Sequence, residues 1–143
     1  MSQSETGAYL LLIHLNEICS LTVGALGVID FSEGIYVYIG SAMGGLDQRI
    51  SRHLRKKKKI HWHIDYLLEL ADNIDVLLAP SPIKLECELA LIIAAMPSSI
   101  AIKGFGCSDC GCNSHLFHIS DMDGKYLCST FPRLKQNGSR ILH

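Results

Sequence analysis

Residues 34–46 read Gly34-Ile35-Tyr36-Val37-Tyr38-Ile39-Gly40-Ser41-Ala42-Met43-Gly44-Gly45-Leu46, and the chain continues Asp47-Gln48-Arg49-Ile50-Ser51-Arg52-His53-Leu54. Ile35 to Ile39 are β-branched or aromatic, which is strand composition. Side chains alternate along a strand, so Tyr36 and Tyr38 project from one face and Ile35, Val37 and Ile39 from the other. The expectation is one oily face and one that carries phenols. Gly44-Gly45 breaks the strand, and apolar residues then recur every fourth position at Leu46, Ile50 and Leu54, the pattern of an amphipathic helix. Arg49, His53 and Lys56 fall together on a different stripe of it. A strand that turns sharply into a helix with a basic face points to an α/β fold.

Outward from this stretch, Ala8 to Ile13 is an apolar run of strand length, and Leu21–Val23 with Val28–Phe31 supply further strand segments around Gly24 and Gly27. These segments and residues 35–39 are expected to pair as a three-stranded antiparallel sheet. A helix follows from Trp62 to about Leu70, then a strand at Ile74–Leu78 closed by Pro80 and Pro82, a helix over Lys84–Ala95 ended by Pro97, and a short strand at Leu116–Ile119. Asp121 onward reads as a turn and a loosely held tail. The expected architecture is a small single-domain α/β sandwich, a central three-stranded antiparallel sheet flanked by helices. The domain covers residues 1–120, including a Cys/His-rich segment at 104–119, and 121–143 is the C-terminal tail.

The 143 residues suffice for one domain and leave little room for a second. With 48% hydrophobic and 19% charged residues the composition is that of a packed globular chain. The longest apolar run, Leu89 to Met96, is far short of the roughly 20 residues a membrane helix needs, and acidic Glu5 precedes the first apolar run. A soluble, cytoplasmic protein with neither membrane span nor signal peptide is expected.

The net charge of −1 hides a strong asymmetry. Seven of the 13 Lys and Arg residues, namely Arg49, Arg52, Arg55, Lys56, Lys57, Lys58 and Lys59, lie within residues 49–59 with no Asp or Glu among them. That segment carries +7 and the rest of the chain −8, while residues 1–48 hold no Lys or Arg. A concentrated basic segment on an otherwise acidic chain suits a phosphate backbone, the alternative being a solvated helix end.

Cys107, Cys110, Cys112 and His115 place three thiols and an imidazole within nine residues, flanked by Gly106 and Gly111. This donor set suits tetrahedral Zn²⁺; the alternative is a turn with free thiols. Cys19, Cys87 and Cys128 read as small buried hydrophobes.

Tyr38-Ile39-Gly40-Ser41-Ala42, followed by Arg49 and His53, resembles the second signature of the GIY-YIG nuclease superfamily. Gly44-Gly45-Leu46, Arg52-His53, Trp62-His63-Ile64-Asp65-Tyr66-Leu67, Glu86-Cys87, Gly104-Phe105-Gly106, Ser108-Asp109-Cys110, Cys112 and Ser114-His115-Leu116 continue the likeness toward its Uri-type branch, over about residues 7–119. A literal Gly34-Ile35-Tyr36 sits just before Tyr38. In the family the two halves of the signature lie on separate neighbouring strands, so Gly7-Ala8-Tyr9 is the better match to the first half and Tyr36 the fallback. Ala8 replaces the usual Ile, and the connection between the halves is longer than in most members.

The resemblance implies a metal-dependent endonuclease that hydrolyses DNA phosphodiesters. It implies that Tyr9 activates a water, Tyr38 shares the proton network, Arg49 binds the scissile phosphate with His53 nearby, and a Glu on a later helix holds Mg²⁺ or Mn²⁺. Glu86 fits the branch pattern and Glu88 the wider superfamily spacing; the two face opposite sides of a helix, and Glu86 is taken as the ligand. An isolated tyrosine is a poor base at neutral pH, so neighbouring cations are expected to lower its pKa. Arg52, Arg55 and Lys56–Lys59 are expected on DNA; RNA stays open, because none of these residues senses a 2′-hydroxyl. Selectivity is left to a targeting partner or a second copy. The competing readings are a non-catalytic nucleic-acid-binding module built on residues 49–59 and a thiol or metal protein centred on the Cys cluster.

Overall fold

The computed structural model describes residues 6–55, 63–105 and 114–134. Its centre is β1 (Gly7–Leu15), a nearly continuous apolar run buried on both faces. It pairs antiparallel with β4 (Gly34–Ala42) along its whole length, Gly7 opposite Ala42 and Leu15 opposite Gly34. The other edge of β1 pairs with β5 (Asn73–Pro80), and the other edge of β4 with β7 (Leu116–Ile119). Two-residue strands β6 (Ile100–Ala101) and β8 (Arg133–Leu134) close the two ends.

The order is β6-β7-β4-β1-β5-β8, antiparallel throughout, so among the described residues the main sheet has six strands rather than the expected three. Both edges of β1 are paired in this sheet, by β4 and by β5, and the 19–31 segment contributes no strand to it. That segment forms a separate two-stranded sheet, β2 (Cys19–Thr22) with β3 (Val28–Phe31). Both strands alternate between exposed and more buried positions and so have one face to cover.

Helices α1 (Leu46–Leu54) and α2 (His63–Leu68) cover one face of the main sheet. Leu46, Ile50, Ile64 and Leu67 pack there on Tyr9, Leu11, Ile13, Tyr36 and Tyr38. Helices α3 (Glu86–Ala94) and α4 (Asp121–Thr130) cover the other face, Leu89, Ala90, Ile93 and Leu127 packing on Leu10, Leu12, Val37, Ile39 and Phe117. The alternation of Tyr36 and Tyr38 against Val37 and Ile39 is as expected. The phenolic face, however, is as buried as the oily one, with Tyr36 1% and Tyr38 9% exposed.

The turn and loose tail expected from Asp121 are instead α4 and β8. Ser120 caps α4, its hydroxyl accepting from the Asp123 N–H at 3.1 Å. Gly124 lies so close to the sheet that a Cβ there would meet Ile35 Cδ1 at 3.2 Å. Residues 135–143 lie outside the described residues. Cys19, Cys87 and Cys128 are half-buried rather than fully enclosed. Among the described residues no helix is long and apolar enough to cross a membrane.

Candidate active site

Tyr9 lies directly opposite Gly40 across the β1–β4 pair, and its ring rests on the glycine backbone. A Cβ at position 40 would come within 2.8 Å of Tyr9 Cε1 and closer still to Cζ and Oη, so the ring occupies the space a side chain would take. Tyr38 lies on the same sheet face, its ring centroid 6.5 Å from that of Tyr9. After β4, Gly45 adopts φ 137°, a backbone conformation L side chains rarely reach, and releases the chain into α1. Arg49 and His53, four residues apart, then point back at the tyrosines.

His53 is buried at 2% exposure with Nε2 2.6 Å from the Tyr9 hydroxyl. Arg49 donates from Nη1 to the Ser41 carbonyl at 3.1 Å, which holds its guanidinium near the Tyr9 hydroxyl. Burial pushes the Tyr9 phenol well above its ordinary value; Arg49 pulls it partway back, while Glu86 and Asp65 push it up. Burial likewise raises Tyr38, with Tyr9 and Glu86 adding to the effect. The expected lowering by cations is therefore present at Arg49 but outweighed by desolvation, and both phenols keep their protons. With the His53 imidazole proton on Nδ1, the protonated Tyr9 hydroxyl donates to Nε2.

Glu86 is the first residue of α3, on the opposite layer, and reaches the same end of the sheet. Its charge acts on both phenols. Glu86 Oε2 also stands 3.9 Å from Nδ1 of His115, which is 3% exposed. Burial pulls the His115 pKa down, with Glu86 opposing. Glu88 is exposed, so of the two candidate carboxylates only Glu86 is half-enclosed beside the tyrosines. Glu86 and His115 bring a partly buried carboxylate and an imidazole together, and among the described residues no third His, Cys, Asp or Glu joins them, so a divalent cation here would draw its other ligands from water and substrate.

Tyr36 is remote from this group. Its hydroxyl donates to the Ser32 carbonyl at 2.8 Å, and its ring packs on Phe31 and His118. Arg52, expected on DNA, makes a two-pronged contact with Asp65 at 2.9 Å on each branch. Asp65 is fully buried and needs that guanidinium, which takes Arg52 out of the set facing solvent. Arg55 is exposed at the end of α1. Lys56, Lys57, Lys58 and Lys59 lie outside the described residues, as do Cys107, Cys110 and Cys112. Of the expected zinc set only His115 is described.

Two residues of the site were assigned elsewhere or overlooked from the sequence. His115 stands at Glu86, and Phe105 forms a wall, its ring 6.4 Å from Tyr38 and 5.6 Å from His63. Both sit in quoted motifs whose position beside β4 depends on long-range pairing: the His115 N–H donates to the Phe105 carbonyl at 2.8 Å, and the His115 carbonyl accepts from Ile39 N–H at 2.9 Å.

No curated protein and no solved structure matches the chain. A family model described as a domain of unknown function, DUF123, matches residues 8–135, from the first strand through the last pair of β8. The chain belongs to the DUF123 family.

Proposed function

We propose that this protein is a divalent-metal-dependent endonuclease hydrolysing DNA phosphodiester bonds, of the Uri-type branch of the GIY-YIG superfamily. The observation that carries the reading is the 2.6 Å contact between the Tyr9 hydroxyl and His53 Nε2, beside Arg49, Tyr38 and Glu86. A neutral tyrosine is a weak base by itself, but one already bonded to an imidazole can relay a proton. The attacking water gives its proton to the Tyr9 oxygen as the Tyr9 proton passes to His53 Nε2. The water oxygen bonds to phosphorus, the bond from phosphorus to the leaving nucleotide oxygen breaks, and that oxygen is protonated from solvent. Tyr38 shares this network, and Arg49 offsets the charge that builds on the non-bridging oxygens. Mg²⁺ or Mn²⁺ held by Glu86 would supply Lewis-acid stabilisation of the same charge.

Arg55 and Lys56–Lys59 supply the sequence-independent attraction to the backbone. Substrate choice is left to a targeting partner or a second copy, and the site is to act in the cytoplasm. The test is a panel of labelled duplex, branched and single-stranded DNA, with RNA alongside, incubated with and without Mg²⁺ or Mn²⁺. Cleavage should require the metal and fall by about 100-fold or more in Tyr9→Phe and in Arg49→Ala. Salt-sensitive binding with no cleavage of any substrate would replace this reading with the non-catalytic binding module.

A further inference from the structure

Resting on the reading of Glu86 as a metal-holding carboxylate, we propose that His115 Nδ1 is the second protein ligand of the same cation, making an imidazole–carboxylate site that prefers Mn²⁺ to Mg²⁺. The two donors stand 3.9 Å apart. A histidine and a glutamate that exist to bond each other close to about 2.7–2.9 Å. Two ligands of one ion are held farther apart: bonds of about 2.1 Å put cis donors roughly 3.0 Å apart in an octahedron and about 3.4 Å apart in a tetrahedron. The observed gap is too wide for a hydrogen bond and exceeds the octahedral cis spacing by about 0.9 Å, a distance that rotation of the partly exposed Glu86 side chain can close.

The imidazole is also fixed before any ion arrives. His115 is 3% exposed, and its backbone is tied on both sides, N–H to the Phe105 carbonyl and carbonyl to Ile39 N–H. The next turn is locked by Ser114 Oγ, which accepts from Leu116 N–H at 2.9 Å and donates to the Leu116 carbonyl at 2.8 Å. Glu86 opens α3, where the half-exposed carboxylate can shift to close the gap. Carboxylate and water ligands suit Mg²⁺ and Mn²⁺ alike, but an imidazole nitrogen favours a transition metal. The site therefore departs from a lone carboxylate by discriminating between the two ions.

The experiment uses the full chain, with Mn²⁺ binding read from the loss of the free-ion electron paramagnetic resonance signal and Mg²⁺ binding from its competition. The unsubstituted protein should hold Mn²⁺ at least about tenfold more tightly than Mg²⁺. His115→Gln should weaken Mn²⁺ by about tenfold or more and leave Mg²⁺ within about twofold, while Glu86→Gln weakens both. Pulsed spectra of bound Mn²⁺ in the unsubstituted protein should carry a ¹⁴N coupling that His115→Gln removes. Absence of that coupling in the unsubstituted protein overturns the inference even if the variant fails to fold, as does its persistence in a folded His115→Gln. In either case, loss of both ions in Glu86→Gln keeps the hydrolase reading with one protein ligand. Retention of both ions in Glu86→Gln overturns this inference and the role given to Glu86 together.

Discussion

Replacing Gly40 with alanine adds one methyl group to β4 at a point where the Tyr9 ring already fills the space. The new Cβ would lie 2.8 Å from Cε1, and closer to Cζ and Oη, against an ordinary contact of 3.4 Å or more. Tyr9 is 1% exposed and packed among Leu11, Leu46 and Ile50, so the ring has to move by about 1 Å within a filled core. Overpacking of this kind costs about 1–3 kcal/mol, which corresponds to a melting point about 3–10 °C lower for a chain of this size. The same shift breaks the 2.6 Å contact with His53, and a displacement of about 1 Å at a reacting group costs on the order of 100-fold in rate. Urea denaturation and cleavage kinetics read the two effects separately. Gly44→Ala is the control, because Gly44 is exposed and a Cβ there meets nothing within 4 Å. Gly40→Ala with stability within about 0.5 kcal/mol of the unsubstituted protein would refute the placement of Tyr9 on Gly40.

Arg52→Ala removes both guanidinium bonds from fully buried Asp65 and should cost about 3 kcal/mol in urea denaturation; a change below about 1 kcal/mol would contradict a structural role for the pair. Because Arg52 is engaged there, six cations of residues 49–59 remain for DNA, and log affinity against log salt should have a slope of about −5, steeper values arguing that Arg52 contacts phosphate. Burial raises Tyr9, Tyr36 and Tyr38 above the ordinary value of 10.0, so the unfolded chain loses those protons first. Their contribution to stability is intact below about pH 10 and lost as pH rises past it; the urea midpoint should fall from about pH 10 to 11, less steeply in Tyr9→Phe, and a flat profile would contradict it.

Elements with a dense periodic pattern were legible in the sequence. The run from Ile35 to Ile39 forms β4, and the Leu46, Ile50, Leu54 spacing forms a helix whose basic stripe carries Arg49 and His53 to Tyr9. The strand count was not legible, because β6 and β8 are two residues each and exist only through pairing with β7 and β5. Helix α4 was hidden by Gly124, which reads as a breaker but is demanded by close approach to Ile35, and by exposed Met122 and Tyr126. Its one local signal was Ser120 three residues before Asp123. In the site, Arg52 resembled its cationic neighbours, since nothing local announces that Asp65, 13 residues on, is buried beneath it. His115 belonged by spacing to the cysteines, and only the pairing of β7 with β4 brings it to Glu86.

The central claim is that Arg49 acts on the phosphate in the reaction while Arg55 and Lys56–Lys59 hold the DNA. Single-turnover cleavage and equilibrium DNA binding, measured side by side for Arg49→Ala at one fixed salt concentration, test it most directly. The account predicts cleavage slowed by about 100-fold or more with binding weakened by only a few-fold. Equal losses in cleavage and binding, or cleavage unchanged, would contradict it.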